Sequence, residues 1–411
     1  MADRQPPSRH DKPQNIPDQT NHAGSQVPLA SELFSVDGFV AEGPEGKLAN
    51  DPAASCPWQS NNGDRAEQRG KPPSQCHHKP PEHDPNDVED RSNHAGNLLW
   101  CFQDGCIGYA THQSSSLRCV NIRCLKMAGR FGVVGCGYVG MGVAINARSR
   151  GLVVTGTTTS PSKLAQLCDL VDHPRICRAG DPGADYSFIE ELDGLLISIA
   201  PTTEDEASSY GSVFGEGVQA LVEAIGRRSS RTPLHITYLS SAGVYGDKAG
   251  QTINELSPPD LTDATNALLV RAENTVLSLN SASTQACVLR LGGIYGPGKD
   301  IPGYIRSASG QQVPKNGNNV NAWIHFLDIL RGVSFAYERR LQGIYNLVDD
   351  MQLSRRELSN ELCDAEGLAP VIWENHDRDG ARIFNARVSN ARLKNLGFNL
   401  KVSSMLDPVP A

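Results

Sequence analysis

The stretch FGVVGCGYVG at 131–140 constrains this chain more than any other. A short apolar run at 131–134 leads into Gly135, Gly137 and Gly140, and MGVAINARSR continues as a helix-compatible segment up to Gly151. LVVTG at 152–156 then reads as a second strand. Strand, glycine turn, helix and strand form the setting in which G-x-G-x-x-G binds a dinucleotide. Gly135 permits the tight turn, Gly137 lets the backbone approach a pyrophosphate, and Gly140 lets the helix pack closely on the strand. The helix start then presents the backbone N–H groups of Tyr138 and Val139, at its positive end, to the phosphates.

Which dinucleotide is bound can be read from a missing charge. A site that prefers NAD places Asp or Glu about 20 residues past the glycines, on the ribose 2′-hydroxyl. Between Met141 and Cys168 there is no acidic residue at all. The second strand runs instead into TTTSPSK, which offers Thr157, Thr158, Thr159, Ser160 and Lys163. Hydroxyls and one ammonium accommodate a 2′-phosphate that a carboxylate would repel. The same residues also suit a helix start, with Ser160 as its cap and Pro161 at its first position. NADP is the expected cofactor, with NAD as the alternative.

The strand–helix alternation continues. GLLISIAP (194–201) is a buried-type strand ending in Ala200 and Pro201, as a strand lining a cofactor cleft would. SVFGEGVQALVEAI (212–225) has apolar residues at helical spacing, and HITYLSSAGVYGD (235–247) and QACVLRLGGIYGPG (285–298) are further strands running into turns. The expected fold class is α/β, a Rossmann doubly wound parallel sheet over 127–300, followed by a smaller C-terminal substrate-binding part over 301–411.

Residues 1–126 differ in kind. They hold half of the 26 prolines among Asp, Asn, Gln and His, with few aliphatic stretches. Such a segment buries too little apolar surface to offset its ordering entropy, so about 120 N-terminal residues are expected to be disordered and dispensable for cofactor binding. CHH at 76–78, Cys101 with Cys106, and Cys119 with Cys124 lack the spacing of a structural zinc site, and no metal site is expected.

A net charge of −8 spread along the chain argues against nucleic acid as a partner, and no apolar run nears the length of a membrane span. Eleven cysteines without a secretory leader point to reduced thiols in the cytoplasm; Cys136, Cys168, Cys177 and Cys287 sit in apolar settings that suit burial.

GCGYVG, YLSSAGVYG, LRLGGIYGPG, WIHFLDI (323–329) and YNLVDD (345–350), in that order, resemble the NAD-dependent epimerase/dehydratase group, the extended branch of the short-chain dehydrogenase/reductase superfamily. The resemblance covers nearly all of 130–400. It implies that Ser241 is the catalytic serine, hydrogen-bonded to the substrate oxygen whose charge changes during hydride transfer, and that Tyr245 is a structural tyrosine. The family's catalytic tyrosine belongs in the helix DATNALLVRAENTVLSL (263–279), with a lysine four residues later. Aligned on Glu273, those places hold Thr265 and Leu269, and no tyrosine occurs between Tyr245 and Tyr295.

YGPGK (295–299) is the one place where a tyrosine is followed four residues later by a lysine. Gly296, Pro297 and Gly298 cannot form the helical turn that would let the ammonium lower the phenol's pKa. The stretch is similar to the family's cleft-shaping YGPG loop. Val134 also stands where the extended branch has the first glycine of its G-x-x-G-x-x-G. Both departures match the superfamily's atypical members.

Two readings follow. One is an NADP-dependent oxidoreductase or epimerase-like enzyme on a sugar nucleotide or other small carbonyl or hydroxyl compound, with proton transfer through His325 or water. The other is a redox-sensing or scaffold module that binds NADP(H) without turnover. Arg306, Lys315 and Asn321 either meet a diphosphate or sugar or are solvated loop residues, and a homodimer is compatible with the sequence without being fixed by it. SRRELSNELC (354–363) reads as an amphipathic helix opened by a capping box of Ser354 and Glu357.

Overall fold

The computed structural model describes residues 99–103, 106–110, 118–121, 129–201, 210–378 and 380–408. Three short strands, β1 (Leu99–Gln103), β2 (Cys106–Ala110) and β3 (Arg118–Asn121), pair antiparallel in that order. The expectation of disorder for the rest of 1–126, and the CHH group within it, lie outside the described residues.

The glycine turn sits between β4 (Arg130–Val134) and α1 (Tyr138–Ser149), followed by β5 (Val153–Thr158), α2 (Leu164–Leu170), β6 (His173–Ile176) and β7 (Gly194–Ile197). A π-helical stretch, Gly211–Gly217, runs into α3 (Val218–Gly226), and β8 (Leu234–Ser241) precedes β9 (Asp247–Ile253), α4 (Ala264–Leu277) and β10 (Thr284–Leu291). Then come β11 (Gly293–Tyr295), α5 (Ile301–Ser307), β12 (Gln312–Asn316), β13 (Trp323–His325), α6 (Phe326–Arg339) and β14 (Gly343–Leu347). The chain ends with α7 (Arg355–Asp364), β15 (Ile372–Glu374), β16 (Asn385–Val388) and α8 (Ala391–Asn395).

Seven strands form one parallel sheet in the order β14-β10-β8-β7-β4-β5-β6. This is the doubly wound order, which reverses direction between β4 and β7. Side chains alternate between its two faces. Val133 and Leu196 join Val139, Val143, Leu167 and Ile329 under α1, α2 and α6, while Val134, Leu195 and Ile197 join Phe214, Leu221, Leu269 and Val276 under α3 and α4. A third cluster, including Ile305, Trp323, Leu358 and Trp373, holds the smaller part together.

The structure corrects several expected boundaries. The edge strand β14 lies beyond residue 300, so the sheet draws its last strand from the region assigned to the smaller part. β7 stops at Ile197, short of Ala200 and Pro201, and the first turns of the 212–225 helix are π-helical. Cys168 is half-buried, whereas Cys136, Cys177 and Cys287 are buried as expected. The capping box at α7 is formed: Glu357 N donates to Ser354 Oγ at 3.2 Å, and Ser354 N to Glu357 Oε2 at 2.8 Å. Among the described residues no helix is long and apolar enough to cross a membrane, and no three His, Cys, Asp or Glu side chains are grouped to hold a metal ion.

Candidate cofactor and substrate site

The three glycines of the turn are required for three separate reasons. Gly135 has φ +95°, and a Cβ there would lie 2.3 Å from the Ser198 carbonyl oxygen of the neighbouring strand end. At Gly140 a Cβ would lie 2.0 Å from Gly135 O, so only glycine lets α1 rest on the turn. At Gly137 a Cβ would meet no protein atom within 4 Å. The bare backbone of Gly137 therefore faces open space at the point where the strand order reverses, the place where doubly wound sheets bind dinucleotides. No side chain caps α1 and its first turn carries no acid, so its N–H groups and dipole are available to an anion. These residues fit a dinucleotide pyrophosphate. Gly137→Val is expected to fold normally yet lose NADPH affinity by about a hundredfold, a loss of the size of two charge-assisted hydrogen bonds. Calorimetric titration beside a thermal melt checks both halves of that expectation.

The threonines of TTTSPSK divide their work differently from the expectation. Thr157 is 1% exposed, its Oγ1 accepts from Gly135 N at 3.1 Å, and its carbonyl accepts from Cys136 N at 2.8 Å. Thr158 is also buried, its Oγ1 accepting from Ser160 N. As a correction to the sequence reading, both shape the turn rather than present hydroxyls to a ligand. Ser160 is half-buried, and Lys163 is exposed just past the end of β5. Ser160 precedes a 3-10 turn, Pro161–Lys163, but makes no side-chain cap bond; its Oγ lies 2.7 Å from Ser162 Oγ. Beyond β7, Ser198 N donates to Val134 O at 2.9 Å, which carries half-buried Ala200 and buried Pro201 past the switch point.

Ser241 ends β8 and is 5% exposed. Its Oγ accepts from Gly243 N at 3.0 Å, which orients the oxygen and leaves its proton to donate. The 3-10 turn that follows, Ala242–Tyr245, packs against α4. Tyr245 is structural: it is fully buried, its hydroxyl donates to Asn346 Oδ1 at 2.9 Å, and the Arg290 guanidinium lies 4.9 Å from its ring centre. Arg290 in turn grips Glu273 of α4 through Nε–Oε1 at 3.0 Å and Nη2–Oε2 at 2.6 Å, and Ser240 Oγ donates to the same carboxylate at 2.6 Å. This anchors the register of α4 against β8. In that helix Leu269 belongs to the apolar core and Thr265 is half-buried.

Tyr295 and Lys299 of YGPGK have different partners. Tyr295 closes β11, and Gly296 and Lys299 exchange backbone bonds of 3.1 and 2.9 Å across a tight turn. The Tyr295 hydroxyl donates to Asp349 Oδ2 at 3.0 Å; burial and that carboxylate push its pKa upward, the reverse of what an active tyrosine needs. Lys299 turns the other way, with Nζ 5.5 Å from the Tyr138 ring centre, and burial lowers its pKa. Lys299→Ala is therefore expected to leave the pH profile of any activity in place. A limb displaced by a pH unit or more would restore the lysine to the chemistry.

Tyr138 contributes more than its backbone. Its hydroxyl donates to Pro297 O at 2.6 Å and its ring packs 4.7 Å from that of Phe326, joining the first turn of α1 to the YGPGK loop. Nothing local in the sequence marks a contact 159 residues long. His325 is 1% exposed, its Nδ1 accepts from Leu327 N at 3.2 Å, and burial lowers its pKa to about 4, so it is a neutral helix cap at physiological pH. Arg306 pairs with Glu366 at 2.8 Å and Asn321 is buried, so neither is a solvated loop residue. Residues 375–378 and 380–384 also make contacts that no sequence motif marks. Asp377 accepts from Asn319 Nδ2 at 2.7 Å and Arg355 Nη1 at 3.0 Å, while Arg382 reaches Asn266 and Asp263 at the start of α4.

Known proteins share this fold. Protein YeeZ of Escherichia coli K12 is 27% identical over 269 residues, covering 62% of this chain and 92% of its own. Among solved structures, the human epimerase family protein SDR39U1 with NADPH superposes with a TM-score of 0.53 at 18% identity, covering 67% of this chain and 96% of its own. DesIV, the dTDP-glucose 4,6-dehydratase of Streptomyces venezuelae with NAD and TYD bound, superposes with a TM-score of 0.54 at 19% identity, covering 67% and 92%. The family model described as NAD dependent epimerase/dehydratase matches residues 133–347, more than half of the chain. The chain belongs to the NAD-dependent epimerase/dehydratase family.

Proposed function

We propose that the protein binds NADP(H) and acts as an oxidoreductase or epimerase-like enzyme on a small carbonyl or hydroxyl compound, a sugar nucleotide being the class favoured. The observation that carries this reading is the open face of Gly137 beside an uncapped helix start, with Ser241 at the end of β8, two strands along in the same sheet. Solved neighbours of this fold hold NADPH or NAD, which supports a nicotinamide cofactor. The absence of any acid between Met141 and Cys168, with Ser160 and Lys163 past β5, supports the phosphorylated form.

A nicotinamide held here supplies or accepts hydride at the substrate carbon. The chain's part is electrostatic. Ser241 donates its proton to the substrate oxygen while Gly243 N holds the serine oxygen in place, which stabilises negative charge as it develops there. Thr157 keeps the glycine turn in shape through Gly135 N. Proton exchange at the substrate oxygen falls to water, because His325 is a buried neutral cap and Leu269 lies in the core.

That last point favours a second reading, dinucleotide binding without turnover. Loss of NADPH absorbance across a panel of aldehydes, ketones and nucleoside-diphosphate sugars separates the two. Consumption with at least one carbonyl supports the enzyme. Tight NADPH binding with no consumption on any compound leaves the binding module. No binding overturns both.

A further inference from the structure

With Thr157 and Thr158 turned inward, the loop after β5 retains exposed Thr159, Ser162 and Lys163 and half-buried Ser160. The topology adds a group that the local sequence does not show. β5 and β6 run parallel with Thr157 opposite Arg175 and Thr158 opposite Ile176. The ladder continues one step past the strand, Cys177 N donating to Thr158 O at 3.0 Å. Arg178 follows directly at the C-terminal edge of the sheet, past the strand that neighbours the one leading into Ser160 and Lys163, and neighbouring strands lie ~4.8 Å apart. Its side chain is 54% exposed.

The nearby carboxylates are Asp181 and Asp185. Asp181 Oδ2 lies 3.9 Å from Arg178 Nε with 57% of its side chain exposed, and Asp185 lies 3.6 Å from Arg175 Nη1. Exposed pairs at such distances hold little energy, so neither commits the guanidinium. A phosphate dianion competes well for it, because the planar fork of arginine donates two parallel hydrogen bonds to phosphate oxygens.

We propose that Arg178, together with Lys163 and Ser160, is the clamp for the 2′-phosphate of NADP(H) and sets the preference for the phosphorylated dinucleotide. The inference rests on the nicotinamide reading above. Arg178 replaces Thr157 and Thr158 in the set expected from sequence, and it acts on specificity without touching the glycine turn.

The test titrates NADPH and NADH separately into the full chain and into its R178A, R178K and K163A variants, following nicotinamide fluorescence. R178A is expected to weaken NADPH by about tenfold to a hundredfold, the range for hydrogen bonds to a charged group, and to leave NADH within twofold. R178K is expected to recover part of the loss, since a point charge replaces the fork. The NADPH affinity of R178A should also fall less steeply with added salt. Unchanged NADPH affinity in R178A overturns the clamp, as does a parallel loss of both dinucleotides, which would mark Arg178 as merely structural. Wild-type protein that prefers NADH overturns it as well. Protein that binds neither dinucleotide removes the nicotinamide reading itself, a result distinguishable from all the others.

Discussion

Ser241→Ala is expected to lower kcat/KM for whichever carbonyl compound is turned over by about 10²–10³, the loss seen when one preorganised donor to a developing oxyanion is removed. NADPH affinity should stay within twofold, because the serine lies two strands from the glycine turn, with β7 between them. A stability effect must be separated from this. The serine oxygen caps Gly243 N at 3.0 Å, and losing such a cap costs ~0.5–2 kcal/mol, too little to unfold a domain of this size. A melting curve recorded on the same sample isolates the two. Activity within tenfold of wild type in the folded variant would remove Ser241 from the chemistry.

Glu273→Ala carries the largest expected loss of stability. Its carboxylate is buried, accepts two bonds from the 3%-exposed Arg290 side chain and a third from Ser240 Oγ. Alanine strands a buried guanidinium with the Tyr245 ring as its remaining neighbour of opposite polarity, a change that costs ~3–5 kcal/mol. For a domain this large the melting temperature should drop by roughly 10 °C. Replacing both partners, as in E273L with R290M, should recover most of the loss, since apolar groups of similar volume substitute well for buried ion pairs. A double variant no more stable than Glu273→Ala would show that α4 needs the charges themselves for its register.

The glycine turn, the strand after it and the α/β class were legible because they depend on neighbours in sequence: φ at Gly135, bare backbone at Gly137, close packing at Gly140. The helix at 264–277 was legible too, and its Glu273 is held by Arg290 of β10. What stayed hidden depends on contacts between distant residues. That the Thr157 hydroxyl faces Gly135 follows from how β5 lies against β4, and the C-terminal ends of β5 and β6 meet only through their parallel ladder. β14 gives no local sign that it borders β10, and residues 375–378 and 380–384 have no apolar period to betray their contacts.

The bond from Tyr138 to Pro297 bears on how the two parts of the molecule are joined. It fastens the loop on the substrate side to the residue whose own N–H begins α1. One phenol thus staples the start of that helix to a turn 159 residues further along the chain, so a change at either end is felt at the other.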